Sequence, residues 1–394
     1  MSKRHPAILA GLDLGTAKTA AIMVRVKNGS PQVVGVGVSP TVGMQKGSVN
    51  DLAAAAITIR QALEKAEKMA GEKATSAYIG YNRTGILIRD CQISRAAGEQ
   101  GRINTVKTAI GIPTSERLLA LMPPRNIVSL SWPGTDLQAR AITCDNQNIE
   151  SIIESARLAG IVVQDIIYSP LAAAKALLSP FEREFGTLMI DIGATTVTVS
   201  IHDRGLIRET AVLSIGGEHL VSDLAIGLRI SMARAGEVLK QYQGPDNAGK
   251  ENIEIDGTDE TISKKVSGSF ISSIIEARIK EIFHMISEVV ISFNYPSQLV
   301  GGAVLYGGVA QLDGLTGMAE KILQLETRIG APQAANQVLG PNLANAFGLA
   351  VYGSMQNIES GGTSNAYREP NGKIIERFYH WFQDKFKMTP EPFE

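Results

Sequence analysis

The sequence predicts a duplicated, two-lobe α/β fold. Two observations carry that prediction. Ile8 to Val26, ILAGLDLGTAKTAAIMVRV, reads as strand, tight Gly-Thr turn and strand, with Asp13 just before the turn. Leu188 to Ile201, LMIDIGATTVTVSI, repeats the design, with Asp191 standing 178 positions after Asp13 and Gly193-Ala194-Thr195-Thr196 in the place of Gly15-Thr16. A length of 394 residues also exceeds one ordinary core, so two lobes or several subdomains are expected.

The elements after each hairpin follow one order. In the first half Gln32 to Val38 supplies a third strand, and Asn50 or Asp51 caps a helix whose apolar positions Leu52, Ala56, Ile59, Leu63 and Ala66 repeat at helical spacing until Gly71. Ala77 to Tyr81 is the next buried strand. Three strands, a helix and a strand make half of an actin-like, ribonuclease H-like lobe. From Arg83 to Cys144 the period turns irregular, with short strands expected at Ile86 to Ile88, Asn126 to Leu130 and Ala139 to Thr143, and a helix around Ile103 to Ile110; this reads as an inserted α+β subdomain. Asn148 is expected to cap a helix over Ile149 to Ala159, Val162 to Tyr168 forms a strand, and Pro170 opens another helix where its missing N–H does no harm.

The second half repeats the order. Leu188 to Asp191, Val197 to His202 and Ile207 to Leu213 are strands, followed by a helix over Gly217 to Leu228. A mostly helical interruption spans Arg229 to Leu299, with a polar loop at Gly244 to Gly249 and a strong helix from Ser269 to Phe293. The frame resumes with a strand at Ala303 to Tyr306, a helix through Ile322 and a core helix over Leu343 to Tyr352. The expected organisation is therefore 7–82 with 145–185 as the first lobe and 83–144 as its insertion. The second lobe is 186–228 with 300–355, interrupted by a helical insertion at 229–299. A flexible linker follows at 356–372 and an amphipathic helix at 373–388.

Composition excludes more than it identifies. A formal net charge of -1 gives no general attraction to nucleic acid. Two cysteines, Cys91 and Cys144, form neither a metal nor a disulfide pattern and suit a reducing compartment. No run approaches the roughly 18 apolar residues of a spanning helix, and the start leads into a strand rather than a signal peptide, so a cytoplasmic protein is expected.

The two matched hairpins can grip one nucleotide between them. Their turns bring backbone amides and a hydroxyl to a phosphate chain without bulky side chains intervening. Asp13 and Asp191, at equivalent ends of buried strands, would hold the waters of a Mg²⁺ ion; alternatively each merely caps its own turn. Lys18 would reach a β- or γ-phosphate or else stand in solvent. Gly216-Gly217 opens a helix whose free N–H groups suit a phosphate or ribose, or is a plain strand-to-helix turn. Glu218 is a candidate for orienting a water. Glu237 and Lys240, three apart on one helical face, would bond a ribose or base edge, or pair with each other. Gly307-Gly308, directly after a strand, lets backbone approach an adenine closely, or is a plain turn.

The terminal segment KIIERFYHWFQDKFKM puts Ile374, Ile375, Phe378, Trp381, Phe382 and Phe386 on one helical stripe. Lys373, Arg377, Lys385 and Lys387 outnumber Glu376 and Asp384 on its flanks. Aromatics and basic residues on a tethered helix suit a membrane interface; docking back on the body or on a partner is the alternative.

With these residues the chain resembles FtsA, the actin-like bacterial division family that anchors the tubulin-like FtsZ to the membrane. The resemblance is carried by GLDLGTAKTAA, GMQKGSVNDL at Gly43, DIGATT at Asp191, LYGGVAQLDGL at Leu305, RIGAP at Arg328, ANAFGLAVYG at Ala344 and the terminal helix. It implies that Gly15, Thr16, Gly193, Thr195, Thr196, Gly216, Gly217, Glu237, Lys240, Gly307 and Gly308 line an ATP site with Mg²⁺ near Asp13 and Asp191. It also implies filaments, a peripheral position on the inner face of the cell membrane at the division site, and other division partners. The first insertion would serve filament contacts, and the second would carry a groove for the FtsZ C-terminal peptide with Arg278 in it. Ala194 and Val309 replace glycines usual in the family, which would narrow the pocket, and ATP hydrolysis is expected to be weak or lacking. The rival expectations are a PilM-like scaffold of pilus assembly and a small-molecule kinase of the same superfamily.

Overall fold

The computed structural model describes residues 8–27, 30–45, 47–93, 111–124, 137–242, 244, 252–256 and 263–359. The expected helix at Ile103 to Ile110, the strand at Asn126 to Leu130, and the whole stripe from Ile374 to Phe386 lie outside the described residues.

The first half contains β1 (Ile8–Leu14), β2 (Lys18–Lys27), β3 (Ser30–Pro40), α1 (Leu52–Ala70) and β4 (Ser76–Tyr81). Three strands at Leu87–Ile93 (β5), Glu116–Met122 (β6) and Leu137–Asp145 (β7) interrupt it before α2 (Asn146–Leu158), β8 (Val162–Tyr168) and α3 (Ser169–Leu177). The second half contains β9 (Thr187–Ile192), β10 (Val197–Asp203), β11 (Leu206–Leu213), α4 (Gly217–Leu228) and α5 (Met232–Lys240). A hairpin at Asn252–Asp256 and Ser263–Ser267 leads into α6 (Gly268–Ser292), and β12 (Ala303–Tyr306), α7 (Leu315–Leu323), β13 (Thr327–Ile329) and α8 (Ala344–Glu359) complete the chain.

The duplication is visible in the sheets. One runs β8-β4-β1-β2-β3 and the other β13-β12-β9-β10-β11, so that β1 and β9, and each of their neighbours, correspond. In both, the central strand pairs antiparallel with the next and parallel with the strand after the helix. Buried strands of this kind read as near-continuous apolar runs, which is how IDI and LDL came to be placed correctly.

One face of the first sheet packs on α1 and α2 through Leu12, Met23, Ile59, Leu63 and Ile152. Its other face meets α8 through Ile22, Phe347 and Leu349. The second sheet meets α4 and α6 through Ile190, Val199, Leu224 and Phe283 on one side. On the other it meets α3 and the start of α8, through Met189, Val304, Leu177 and Ala344. The helices α3 and α8 therefore form a layer shared by both sheets. The insertion strands form a sheet of order β5-β7-β6, and Leu119 and Met122 join Ile207 of β11 in one cluster.

Several local expectations are corrected. The cap of α2 is Asp145, whose side chain accepts from Gln147 N at 2.6 Å, so the helix begins at Asn146 rather than after Asn148. Asp51 caps α1 by accepting from Ala54 N at 3.0 Å, and Gly71 ends it at φ 71. Leu52 is 40% exposed and does not belong to the buried stripe of α1. The last core helix continues through Gln356 to Glu359, into the stretch expected to be linker. The hairpin before α6 and the strands β6 and β13 have no counterpart in the sequence reading.

Helix α1 lies so close on β3 that a Cβ at Gly37 would stand 1.9 Å from the Ala62 carbonyl oxygen. Gly37→Ala is therefore expected to lower the free energy of unfolding by about 2–3 kcal/mol, measured in urea. His202 on β10 is 3% exposed, with Nε2 3.0 Å from Ser200 Oγ, and burial, helped by Lys175, lowers its pKa to about 3. A neutral imidazole buried in this way stays unprotonated while the unfolded chain takes up a proton below about 6.5, so stability should fall with pH between 6.5 and 3. The slope from this residue is up to about 1.4 kcal/mol per pH unit. Melting temperature against pH should be flatter for His202→Gln than for the parent chain.

Candidate functional site

The hairpins β1–β2 and β9–β10 close their turns identically: Gly15 N donates to Lys18 O at 3.0 Å and Gly193 N to Thr196 O at 2.9 Å. The tips touch, with the Thr16 and Thr195 hydroxyl oxygens 3.0 Å apart. Beneath them lies a cavity of about 450 Å³, within the range of ordinary small-ligand sites. Asp13, Gly15, Thr16, Lys18, Asp191, Gly193, Thr195, Thr196, Gly217, Glu218, Lys240, Gly307 and Gly308 all line it.

Asp13 and Asp191 are the penultimate residues of β1 and β9. Burial raises the pKa of both, and Asp13 adds to the rise at Asp191, which reaches about 6. Opposing this, Asn345 Nδ2 and Asn82 Nδ2 each donate to Asp191 Oδ2 at 2.9 Å. Lys18 lowers Asp13, and the two carboxyls in turn hold up the Lys18 ammonium, whose pKa burial depresses. Lys18 Nζ donates to Asn342 O at 2.9 Å. Asn82 also accepts from Thr198 Oγ1 at 2.6 Å, so it joins the end of β4 to two strands of the other sheet. Gly307 (φ 93) is the position where a side chain is excluded outright, since a Cβ there would stand 2.3 Å from Asp191 Oδ1.

The donor set suits a nucleotide and a hard cation. Asp13 and Asp191, the Lys18 ammonium and a pair of glycine-bearing turns are what a phosphate chain and a largely hydrated Mg²⁺ require. Among the described residues no cluster of three or more His, Cys, Asp or Glu exists that would hold a metal by protein ligands alone.

Two of the expected residues lie elsewhere. Glu237 does not line the cavity; it is on the outer side of α5, paired with Arg234 at 2.6 Å rather than with Lys240. Gly216 also lies outside the lining, and the free N–H groups expected at the start of α4 are already used. Gly216 N donates to His219 Nδ1 at 3.3 Å, Gly217 N to Gly193 O at 2.9 Å and Glu218 N to Ala194 O at 2.8 Å. This helix start holds the second turn in place rather than offering donors to an anion.

The comparisons with known proteins extend over nearly the whole chain. The family described as "Cell division protein FtsA" matches residues 188–348. The FtsA of Pseudomonas aeruginosa is 29% identical over 96% of this chain and 98% of its own length. The FtsA of Bacillus subtilis is 28% identical over 94% and 88%. The chain is similar to the FtsA division proteins over nearly its whole length. Among solved structures, the PilM-PilN type IV pilus biogenesis complex matches with a TM-score of 0.67 at 19% identity, over 88% of this chain and 98% of that one. MreB5 of Spiroplasma citri bound to ADP matches with a TM-score of 0.53 at 16% identity, over 90% and 97%. The fold is thus the actin-like one, and no helix among the described residues is long and apolar enough to cross a membrane.

The two positions expected to narrow the pocket both border it. Ala194 and Val309 line the cavity, and Val309 Cγ2 covers Gly217, where a Cβ would come within 2.8 Å of it. Arg278 on α6 is engaged within the chain: Nε and Nη2 donate to Asp223 of α4 at 2.6 and 2.9 Å, and Nη1 to Glu281 at 2.6 Å. The sequence reading missed Asn82, Arg83, Asn342 and Asn345. Asn345 stands in the ANAFGLAVYG segment and Asn82-Arg83 directly follow a buried strand, but nothing in their spacing ties them to Asp191.

The Asn345 bond to a buried carboxylate has a measurable weight. Asn345→Ala should cost about 1.5–3 kcal/mol of stability at neutral pH. In the Asp191→Asn background the same change should cost clearly less, since the charged acceptor is gone; a double-mutant cycle in urea reads the difference.

Proposed function

We propose that this chain is a cell-division protein that binds ATP between its two lobes, forms filaments and tethers FtsZ to the inner face of the cytoplasmic membrane. The observation that carries the reading is the similarity to FtsA over nearly the full chain, joined to a cavity walled by both matched carboxylates.

Gly15, Thr16, Gly193, Thr195 and Thr196 would receive the phosphates from two sides, with Lys18 turning from Asn342 O toward them. Asp13 and Asp191 would hold the waters of Mg²⁺. Gly307, Gly308 and Lys240 would border the ribose and base. Bound Mg²⁺-ATP supplies a polyanion and a cation that neutralise charges belonging to both lobes. Residues from both halves then share one ligand, so occupancy favours the closed arrangement of the lobes that a filament would select. Glu218 would orient a water if hydrolysis occurs, although weak or no turnover is expected. Glu237 and Gly216 act at most indirectly, through α5 and through the second turn.

The terminal stripe Ile374, Ile375, Phe378, Trp381, Phe382 and Phe386, with its basic flanks, would lie in the headgroup region of the membrane. Arg278 would serve an acidic FtsZ C-terminal peptide by exchanging Asp223 for a peptide carboxylate. The similarity in fold to PilM keeps a pilus-type scaffold as the second reading; it gives the terminal stripe no membrane role.

Co-sedimentation with vesicles containing phosphatidylglycerol separates these readings. The full chain should pellet with the vesicles and carry an FtsZ tail peptide down. Phe378→Glu with Phe382→Glu should reduce pelleting at least tenfold without changing Mg²⁺-ATP binding. If parent and variant both stay in the supernatant, the stripe is a docking surface and the scaffold reading replaces the membrane one. ATP turnover stimulated by a small acceptor would instead point to a kinase.

A further inference from the structure

One cation in the cavity wall has two guanidinium nitrogens without a hydrogen-bond acceptor among the described residues. Arg83, next to Asn82 at the end of β4, is 3% exposed and lines the cavity, yet among the described residues neither Nη1 nor Nη2 has a hydrogen-bond acceptor. Its stem runs along Gly47, where a Cβ would stand 3.4 Å from Arg83 Cγ, and the guanidinium carbon lies 5.7 Å from the centre of the Tyr81 ring. An aromatic face gives a buried guanidinium only part of what water gave it. A charge left in that condition is costly, and folded chains retain one chiefly where a ligand completes it.

The position says which ligand. Arg83 sits at the carboxylate end of the cavity: its neighbour Asn82 bonds Asp191, and its charge and that of Asp13 act on each other without a hydrogen bond between them. The other cation at the carboxylate end, Lys18, is committed to Asn342 O. A planar fork with two open nitrogens matches two oxygens of a phosphoryl group, and a carboxylate-held cation bridges the last two phosphates of a triphosphate, which brings the terminal one to this end of the cavity.

We propose that Arg83 binds the terminal phosphate of a nucleoside triphosphate and makes the cavity favour the triphosphate over the diphosphate. This rests on the nucleotide reading given above. The role is one of recognition, and it requires no bond to break.

The test uses the full chain with Arg83→Met and Arg83→Lys, titrated calorimetrically with Mg²⁺-ATP and Mg²⁺-ADP and melted without nucleotide. The parent chain should bind ATP more tightly than ADP. Arg83→Met should lose at least tenfold in ATP affinity and less than threefold in ADP affinity, while melting no lower than the parent, because a buried unpartnered charge has been removed. Arg83→Lys keeps the charge without the fork and should lose an intermediate amount for ATP alone. Equal losses for both nucleotides together with a lowered melting temperature would overturn the proposal and make Arg83 a support for Tyr81 and the turn at Gly47. Unchanged ATP affinity in a folded variant overturns it as well, with the nucleotide reading intact. A parent chain that binds neither nucleotide overturns both. Should Arg83→Met not fold, the ATP-to-ADP ratio of Arg83→Lys decides between the same outcomes.

Discussion

Two like charges held out of water at the ends of two central strands set the terms for the rest of this molecule. Asp13 and Asp191 end β1 and β9, and burial raises both, to about 6 at Asp191. Much of the compensation at Asp191 comes from outside its own sheet. Asn82 arrives from the first sheet to donate to Asp191, Asn345 arrives at the start of α8, and Lys18 lies within the field of both carboxyls. Gly307 has no side chain because Asp191 occupies the space. The lobes are thus joined by an electrostatic debt that asparagine dipoles relieve only in part, and a bound cation with its counter-anion would relieve further.

The frame makes that joint possible by sharing its middle layer. Helices α3 and α8 each contribute to both cores, with Phe347 against the first sheet and Ala344 and Leu177 against the second. A second connection lies at the inserted sheet, where Arg140 Nη1 donates to Glu209 Oε2 at 2.9 Å, both side chains buried. A pair with both members shielded from water holds its geometry because breaking it leaves a buried charge. Motion between lobes is therefore constrained at the shared helices and at the insertion, and relative rotation there would act first on the contacts between the turns, such as Thr16 with Thr195.

The parts of this arrangement that were legible in the sequence are those with a local cause. The two hairpins were readable because a buried central strand is apolar but for its carboxylate and its turn must contain glycine, and both requirements are met within one short stretch of chain. Helix α4 was placed at its observed limits, Gly217–Leu228, for the same reason: a glycine pair before an apolar period. Strand β6, ERLLALM, was missed because Leu, Met, Ala and Glu favour helices, and every residue is buried, which removes the alternation that marks a strand. The cavity's asparagines were missed because their partners are 109 and 154 positions away. The amides of α4 were misjudged for a related reason, since their acceptors, Gly193 O and Ala194 O, come from a turn more than twenty residues earlier.

Those spent amides also explain why the two halves, alike in frame, differ in chemistry. In the second half the turn Gly193 to Thr196 is bound to the start of α4 and its fourth position is a threonine, so the turn itself carries no charge. In the first half the fourth position is Lys18, and the strand end beyond it adds Arg83. Positive charge in the carboxylate end of the cavity is therefore supplied from the first lobe alone, while the second lobe supplies the more deeply buried carboxylate, Asp191. A duplicated frame with matched hairpins would place a polyanion symmetrically between its lobes. The distribution of Lys18 and Arg83 breaks that symmetry: the cations beside the paired carboxylates come from the first lobe, while Glu218 of α4 and Lys240 of α5 line the cavity from the second.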